Sequence, residues 1–300
     1  MIKDNRAISL PLSLCILFLC GSPLAAEDCQ SKANPNSDRL PAYLSTHTAP
    51  EQLLFEDPMT GDWQDNWFVD GKEAYLANSD YGLYFASGDY MYPDPDNRTH
   101  EQRQKMNASH AVLWTKQEFE GDIIISYECT RVDMSGYGVN IIYVQAQGIG
   151  TEEFPKDIYE WREYREVPTM GKYYTYMNAL HISYNVGDHE STWYIRARRY
   201  PKNDSIGLRW GMTKLKPDYD DEGAKMMPGK TYIIEVEKTG ESLTFRTFDK
   251  ESKKLLKEAT WDTTQVHELM QPRVITEGRI GFRQMSGKKN IYSNFKVFRR

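Results

Sequence analysis

From about residue 52 onward, apolar and polar positions alternate in short runs separated by turn-forming residues. AVLWTKQEF, DIIISYECTRVD, GVNIIYVQAQG, TWYIRARRY, KTYIIEVEKTG, ESLTFRTFD, RIGFRQMSG and NIYSNFKVFR are rich in β-branched and aromatic residues. In YMNALHISYN, residues 176–185, a strand puts Leu180, Ile182 and Tyr184 on one face. Ala179, His181, Ser183 and Asn185 then take the other. TGES between two such runs predicts a tight hairpin. Helical periodicity is weak, and its best candidate spans 153–166. Many short strands with few helices predict an all-β antiparallel sandwich or jelly roll.

Two stretches break the strand pattern. Residues 88–108 read as a loop. Residues 148–175 carry Phe154, Tyr159, Trp161, Tyr164, Tyr173 and Tyr174, too many aromatics for a disordered segment. They predict an ordered insert walling one side of a cleft.

The first 26 residues read as a signal peptide: Lys3 and Arg6, an apolar run, then small residues with cleavage after Ala26. A lipoprotein signal at Cys20 is the weaker alternative, because Leu17, Phe18 and Leu19 are too bulky to precede a lipidated cysteine. Residues 27–50 read as a flexible leader and 51–300 as one β domain. No later segment approaches the ~18 apolar residues of a membrane span. The expectation is therefore a secreted or periplasmic, monomeric protein. Once Cys15 and Cys20 leave with the signal, Cys29 and Cys129 remain. They form either a disulfide in an oxidising compartment or two free thiols, with Cys129 buried.

A net charge of −6 argues against nucleic acid as partner. The basic run from Arg196 to Arg199 nevertheless leaves room for an acidic ligand. The 20 Tyr and 7 Trp suit both strand cores and sugar stacking, so their number decides neither.

The order HAVLWTKQEFEGDIIISYE, GIG, MNALHISY, IRARR and GRIGFRQM resembles the YesU-like family, a domain of unknown function. The match covers roughly residues 52–300, with NALH-x-SY and IGFRQM its most specific pieces. The resemblance implies a concanavalin A-like jelly roll and a carbohydrate context, since one member is encoded among rhamnogalacturonan-utilisation genes. It supplies no reaction.

Three chemistries compete. Laminarinase-type hydrolysis needs paired carboxylates on an E-x-D-x-x-E strand, which this chain lacks, so hydrolysis ranks last. Elimination from a uronic acid needs a neutralised carboxylate, a base and an acid. His181 is the candidate base and Tyr143 or Tyr184 the candidate acid. Arg196 and Arg198, on one strand face, with Arg283 and Gln284, are candidates for holding the carboxylate. The alternative is binding without catalysis, with Trp114, Trp161 and Trp193 stacking on sugars and Asn178 hydrogen-bonding them. The leading expectation is lyase-type elimination on an acidic polysaccharide or its oligosaccharides. His181 also has a purely structural reading, as a residue hydrogen-bonded inside the sheet. No H-x-H or HExxH spacing occurs, so no catalytic metal and no required cofactor are expected. A structural calcium on Asp57, Asp62 and Asp65 is a secondary expectation, and the same residues also read as turn formers.

Overall fold

The structure is a computed structural model that describes residues 52–90, 97–134, 138–185, 194–220 and 225–300. Fifteen strands among them form two antiparallel sheets. The first contains β1 (Gln52–Asp57), β3 (Tyr75–Ser79), β4 (Gly82–Ala86), β7 (Ile123–Arg131), β11 (Thr231–Thr239), β12 (Ser242–Asp249), β13 (Leu255–Asp262) and β15 (Lys289–Arg299). Its order is β13-β12-β11-β7-β15-β4-β3, with β1 also paired to β15. The second contains β2 (Trp67–Asp70), β5 (Ala111–Thr115), β6 (Phe119–Glu120), β8 (Val139–Gly148), β9 (Met177–Asn185), β10 (Ile195–Arg199) and β14 (Glu277–Gln284). Here the order is β10-β9-β8-β14-β5-β2, with β6 against the start of β14. The all-β sandwich expected from the alternation is what forms. The TGES hairpin forms too: Thr239 pairs with Ser242, and Gly240 sits in the left-handed region at φ 48°, where a Cβ is unwelcome.

The core lies between the sheets and takes every second residue from each. Ile125 and Tyr127 on β7, Ile142 and Val144 on β8, Leu180, Ile182 and Tyr184 on β9, and Phe282 on β14 are all buried there. Burying each such side chain is worth about 1.5–3 kcal/mol. Cys129 belongs to this layer, where burial pushes its thiol far above the ordinary range. Cys29, its proposed partner, lies outside the described residues, as do the signal peptide and leader.

A second apolar layer covers the opposite face of the seven-stranded sheet. It joins Trp114, Tyr143 and Ala179 to Phe154, Ile158, Trp161, Tyr173 and Tyr200. The insert therefore does not wall a cleft; it lies on the sheet, because its aromatics bury against that face. Its helix is α3 (Met170–Tyr176) rather than 153–166, where turns and a short 3-10 segment at Arg162–Arg165 stand instead. The expected loop at 88–108 also contains a helix, α2 (His100–Ala108). No apolar stripe announces it. Thr99 and Gln102 form a reciprocal capping box, and Glu101 pairs with Lys105 at 2.8 Å, so local polar contacts hold a helix that buries nothing. No helix of the described residues is long and apolar enough to cross a membrane.

Candidate functional site

On the outer face of the seven-stranded sheet, strand register aligns six residues in one row. Phe68, Trp114, Gly281, Tyr143, His181 and Arg198 stand opposite one another from β2 to β10. The parity of β9 is the one read from the sequence, with His181 outward and Tyr184 inward. Gly281 matters by what it lacks. An ideal Cβ there would stand 2.4 Å from the Trp114 ring, so glycine lets the indole lie across the strand. Trp114 then stacks 5.2 Å from Tyr143, and Tyr173 stacks 5.8 Å from Tyr143 on a plane only 8° away.

One carboxylate fastens this layer. Asp70 Oδ2 accepts from Trp114 Nε1 at 2.8 Å, Arg165 Nε at 2.7 Å and the Tyr173 hydroxyl at 2.9 Å. Asp70 and Arg165 form an ion pair with both side chains wholly buried. Arg165 also donates to the carbonyls of Ile158 and Trp161, so the pair ties the insert to β2. No sequence motif marks these residues. The signal available was an acid inside the apolar run WFVD, since buried acids need partners.

Beside the aromatic stack lies a polar group of Tyr143, His181, Tyr200, Arg283 and His110. His181 is 3% exposed, and its Nδ1 hydrogen-bonds the Tyr200 hydroxyl. Burial, then the positive charges of Arg198 and Arg283, hold its pKa well below the ordinary histidine value, so the ring is neutral at pH 7. His110 is lowered likewise, by burial first and Arg283 second. Burial pushes the Tyr143 and Tyr200 hydroxyls up, which keeps both protonated. Arg283 is fully buried, lies 4.6 Å from the Tyr173 ring centre, and contacts His110 Nδ1 at 2.9 Å and the Pro168 carbonyl at 2.5 Å. No carboxylate pairs with it among the described residues.

Five buried polar atoms of this group have no hydrogen-bond partner among the described residues: His110 Nε2, Tyr143 Oη, His181 Nε2, and Arg283 Nε and Nη1. The Tyr143 hydroxyl is flanked by Arg283 and Tyr200, which act on it through weak hydrogen bonding, but it makes no bond of ordinary geometry with either. Each such orphan costs about 1–3 kcal/mol, which marks a place where a ligand or water completes the bonding.

The structure brings together only part of the expected set. Tyr184 is corrected: it faces the inter-sheet core, and its hydroxyl meets that of Tyr127 at 3.1 Å, on the far side of the sheet from His181. Gln284 has the inward parity of Phe282 and stands opposite Asn140, so it does not share the face of Arg283. Trp114 and Trp161 are buried, 0% and 6% exposed, and serve as packing rather than as open stacking platforms. Trp193 lies outside the described residues. Asn178 lines a separate surface pocket of about 470 Å³ with Tyr176, Lys202, Asn203 and Gln271. Arg196 turns to Asp220, with Nη2 at 2.6 Å from its carboxylate, and lies over Tyr194. Arg198 borders the group, its guanidinium 3.8 Å from the Trp210 ring centre and its Nη1 bonded to Trp210 O and Thr213 Oγ1.

The calcium candidates act as local braces. Asp57 accepts from Met59 N, Asn66 Nδ2 and Trp67 Nε1, and Asp62 caps the helix Trp63–Asn66. No cluster of three or more acidic, His or Cys side chains suited to a metal occurs among the described residues.

The family described as Domain of unknown function (DUF1961) matches residues 73–297. No curated protein matches the sequence. Among solved structures, a protein of unknown function with galectin-like fold from Bacillus subtilis is similar at TM-score 0.56 and 19% identity, over 83% of this chain and 97% of that one. A carbohydrate-binding module, CBM66, from Bacillus subtilis matches at TM-score 0.41 and 10% identity, over 77% and 94%. A legume lectin-like domain from Entamoeba histolytica matches at 0.48 and 8%, over 82% and 96%. At 19% identity the first of these likenesses shows the fold alone.

Proposed function

Because the chain belongs to DUF1961, a family defined without a function, we propose its role from the site itself. It is an exported carbohydrate-binding protein that receives an acidic sugar on the outer face of the seven-stranded sheet. One observation carries this reading: four buried hydrogen-bonding atoms of Tyr143, His181 and Arg283 lack partners on one sheet face. Arg283 is a buried cation without a carboxylate among the described residues, so a ligand carboxylate would complete it through charge-assisted bonds. The Tyr143 hydroxyl and His181 Nε2 then address ligand hydroxyls. The resemblance of NALH-x-SY and IGFRQM to the YesU-like family supports a sugar as the ligand.

Calorimetric titration with uronic-acid oligosaccharides tests it. Tyr143→Phe removes a hydroxyl that makes no hydrogen bond of ordinary geometry in the free protein, so its melting temperature should hold or rise. Its affinity should fall on the order of tenfold to a hundredfold, the value of one hydrogen bond to a charged or polar ligand group. Unchanged affinity in Tyr143→Phe refutes the site.

Elimination remains the second reading, favoured by the neutral state of His181. The two readings require different tautomers. A base needs Nδ1–H donating to Tyr200 and a free lone pair on Nε2; a binding donor needs Nε2–H with Nδ1 accepting from Tyr200. Nitrogen NMR of His181 separates them. Ultraviolet absorbance from a new double bond conjugated with the carboxylate, on incubation with uronic oligosaccharides, would establish elimination.

A further inference from the structure

We infer that the site recognises the end of a glycan chain, or a short oligosaccharide, and not the interior of a polymer. The inference rests on the binding reading above and adds what part of a chain the site can take. A sandwich that binds polymers internally leaves an open trough across its strands, so that sugar rings lie over successive side chains in a row. Here the row is roofed position by position.

Tyr159 meets Phe68 edge-on at 5.0 Å. Tyr173 stacks over both Trp114, at 6.5 Å, and Tyr143, at 5.8 Å. The space above Gly281 holds the Trp114 ring itself. Tyr200 stands over His181, its ring centre 5.4 Å away and its hydroxyl on Nδ1. Trp210 stacks on the Arg198 guanidinium. Two chain segments supply the roof, 159–173 from the insert and 200–210 after β10.

The second row behaves alike at one end. Asp70 is consumed by Arg165, Trp114 and Tyr173, while Val112, Arg283 and Ile141 are buried. At the other end Ser183 is still buried, and of both rows only Arg198 and Arg196, the latter 31% exposed in its side chain, are partly open. Among the described residues of the two rows the cover thus thins only at β10. A ligand has one side from which to reach Tyr143, His181 and Arg283, and a polymer crossing the row would have to displace several buried rings.

The test compares the wild-type protein's binding to one uronic-acid polysaccharide, such as polygalacturonate, before and after controlled depolymerisation to fractions of known mean length. Calorimetry gives the number of sites per gram of polymer. End recognition predicts that sites per gram rise in inverse proportion to chain length, so that halving the length doubles the sites, while the affinity per site stays constant. Sites per gram that stay constant as length falls would overturn the inference while leaving the binding reading intact. Absence of binding to every fraction and to a panel of other uronic oligosaccharides refutes the binding reading, and the inference with it.

Discussion

Replacing Asp70 by Ala is the most exacting test of how the insert is held. In the folded protein the Asp70 carboxylate neutralises Arg165, and both side chains are fully buried. Removing the carboxylate strands the guanidinium with two carbonyls for company, those of Ile158 and Trp161, and also strips the acceptor from Trp114 Nε1 and the Tyr173 hydroxyl. Breaking a buried pair from one side costs about 3–5 kcal/mol, and at about 2–4 °C per kcal/mol for a chain of this size the melting temperature should fall on the order of 10 °C. The damage should be local first. Amide hydrogen exchange over 158–176 should quicken before that of β7 and β11, because the inter-sheet core does not include Asp70. The double variant Asp70→Ala/Arg165→Met removes the stranded cation and should recover part of the loss, a coupling that thermal and denaturant melts of all four proteins measure. If Asp70→Ala melted within about 2 °C of wild type, where the buried-pair cost predicts several times more, the keystone reading would be wrong.

Three further outcomes follow from the geometry. His110 and His181 have folded pKa values depressed below about 6.5, so the unfolded chain binds more protons as the medium acidifies. Their stabilising effect is whole above pH 6.5 and is lost as pH falls toward the folded values, by up to about 1.4 kcal/mol per pH unit per histidine; denaturant melts from pH 7.5 to 5.5 should show this, and a slope unchanged in His181→Gln would contradict it. Tyr184→Phe should cost about 1 kcal/mol, one buried hydrogen bond, and leave ligand affinity untouched, since its hydroxyl lies across the sheet from His181; lost affinity without lost stability in calorimetry would return Tyr184 to the site. Gly281→Ala should lower stability by about 1–3 kcal/mol and disturb tryptophan fluorescence, because the added methyl meets the Trp114 ring at a distance no real contact tolerates; a wild-type melt and spectrum would show that the ring is not held there.

Part of this protein is legible in its sequence because part of its physics is local. Period-two alternation in DIIISYECTR and ALHISY obliges one face of each strand to be buried, so the two-sheet sandwich and the outward parity of His181 follow from pattern alone. The TGES turn follows from what glycine permits. Helix α2 is also locally encoded, in the Thr99 to Gln102 capping box, but no apolar stripe accompanies it, so periodicity alone does not show it. The site was legible only in part. Reading Arg283 and Tyr143 as outward residues beside His181 needed only parity, whereas placing Gln284 and Tyr184 with them ignored it. What parity cannot say is what lies above a sheet face. That the insert lies on the face rather than beside it depends on Asp70 meeting Arg165, 95 residues away, and on Gly281 making room for Trp114 from another strand. Such contacts have no signature in spacing, because their stabilisation comes from burial and charge neutralisation between segments that only the folded chain brings together.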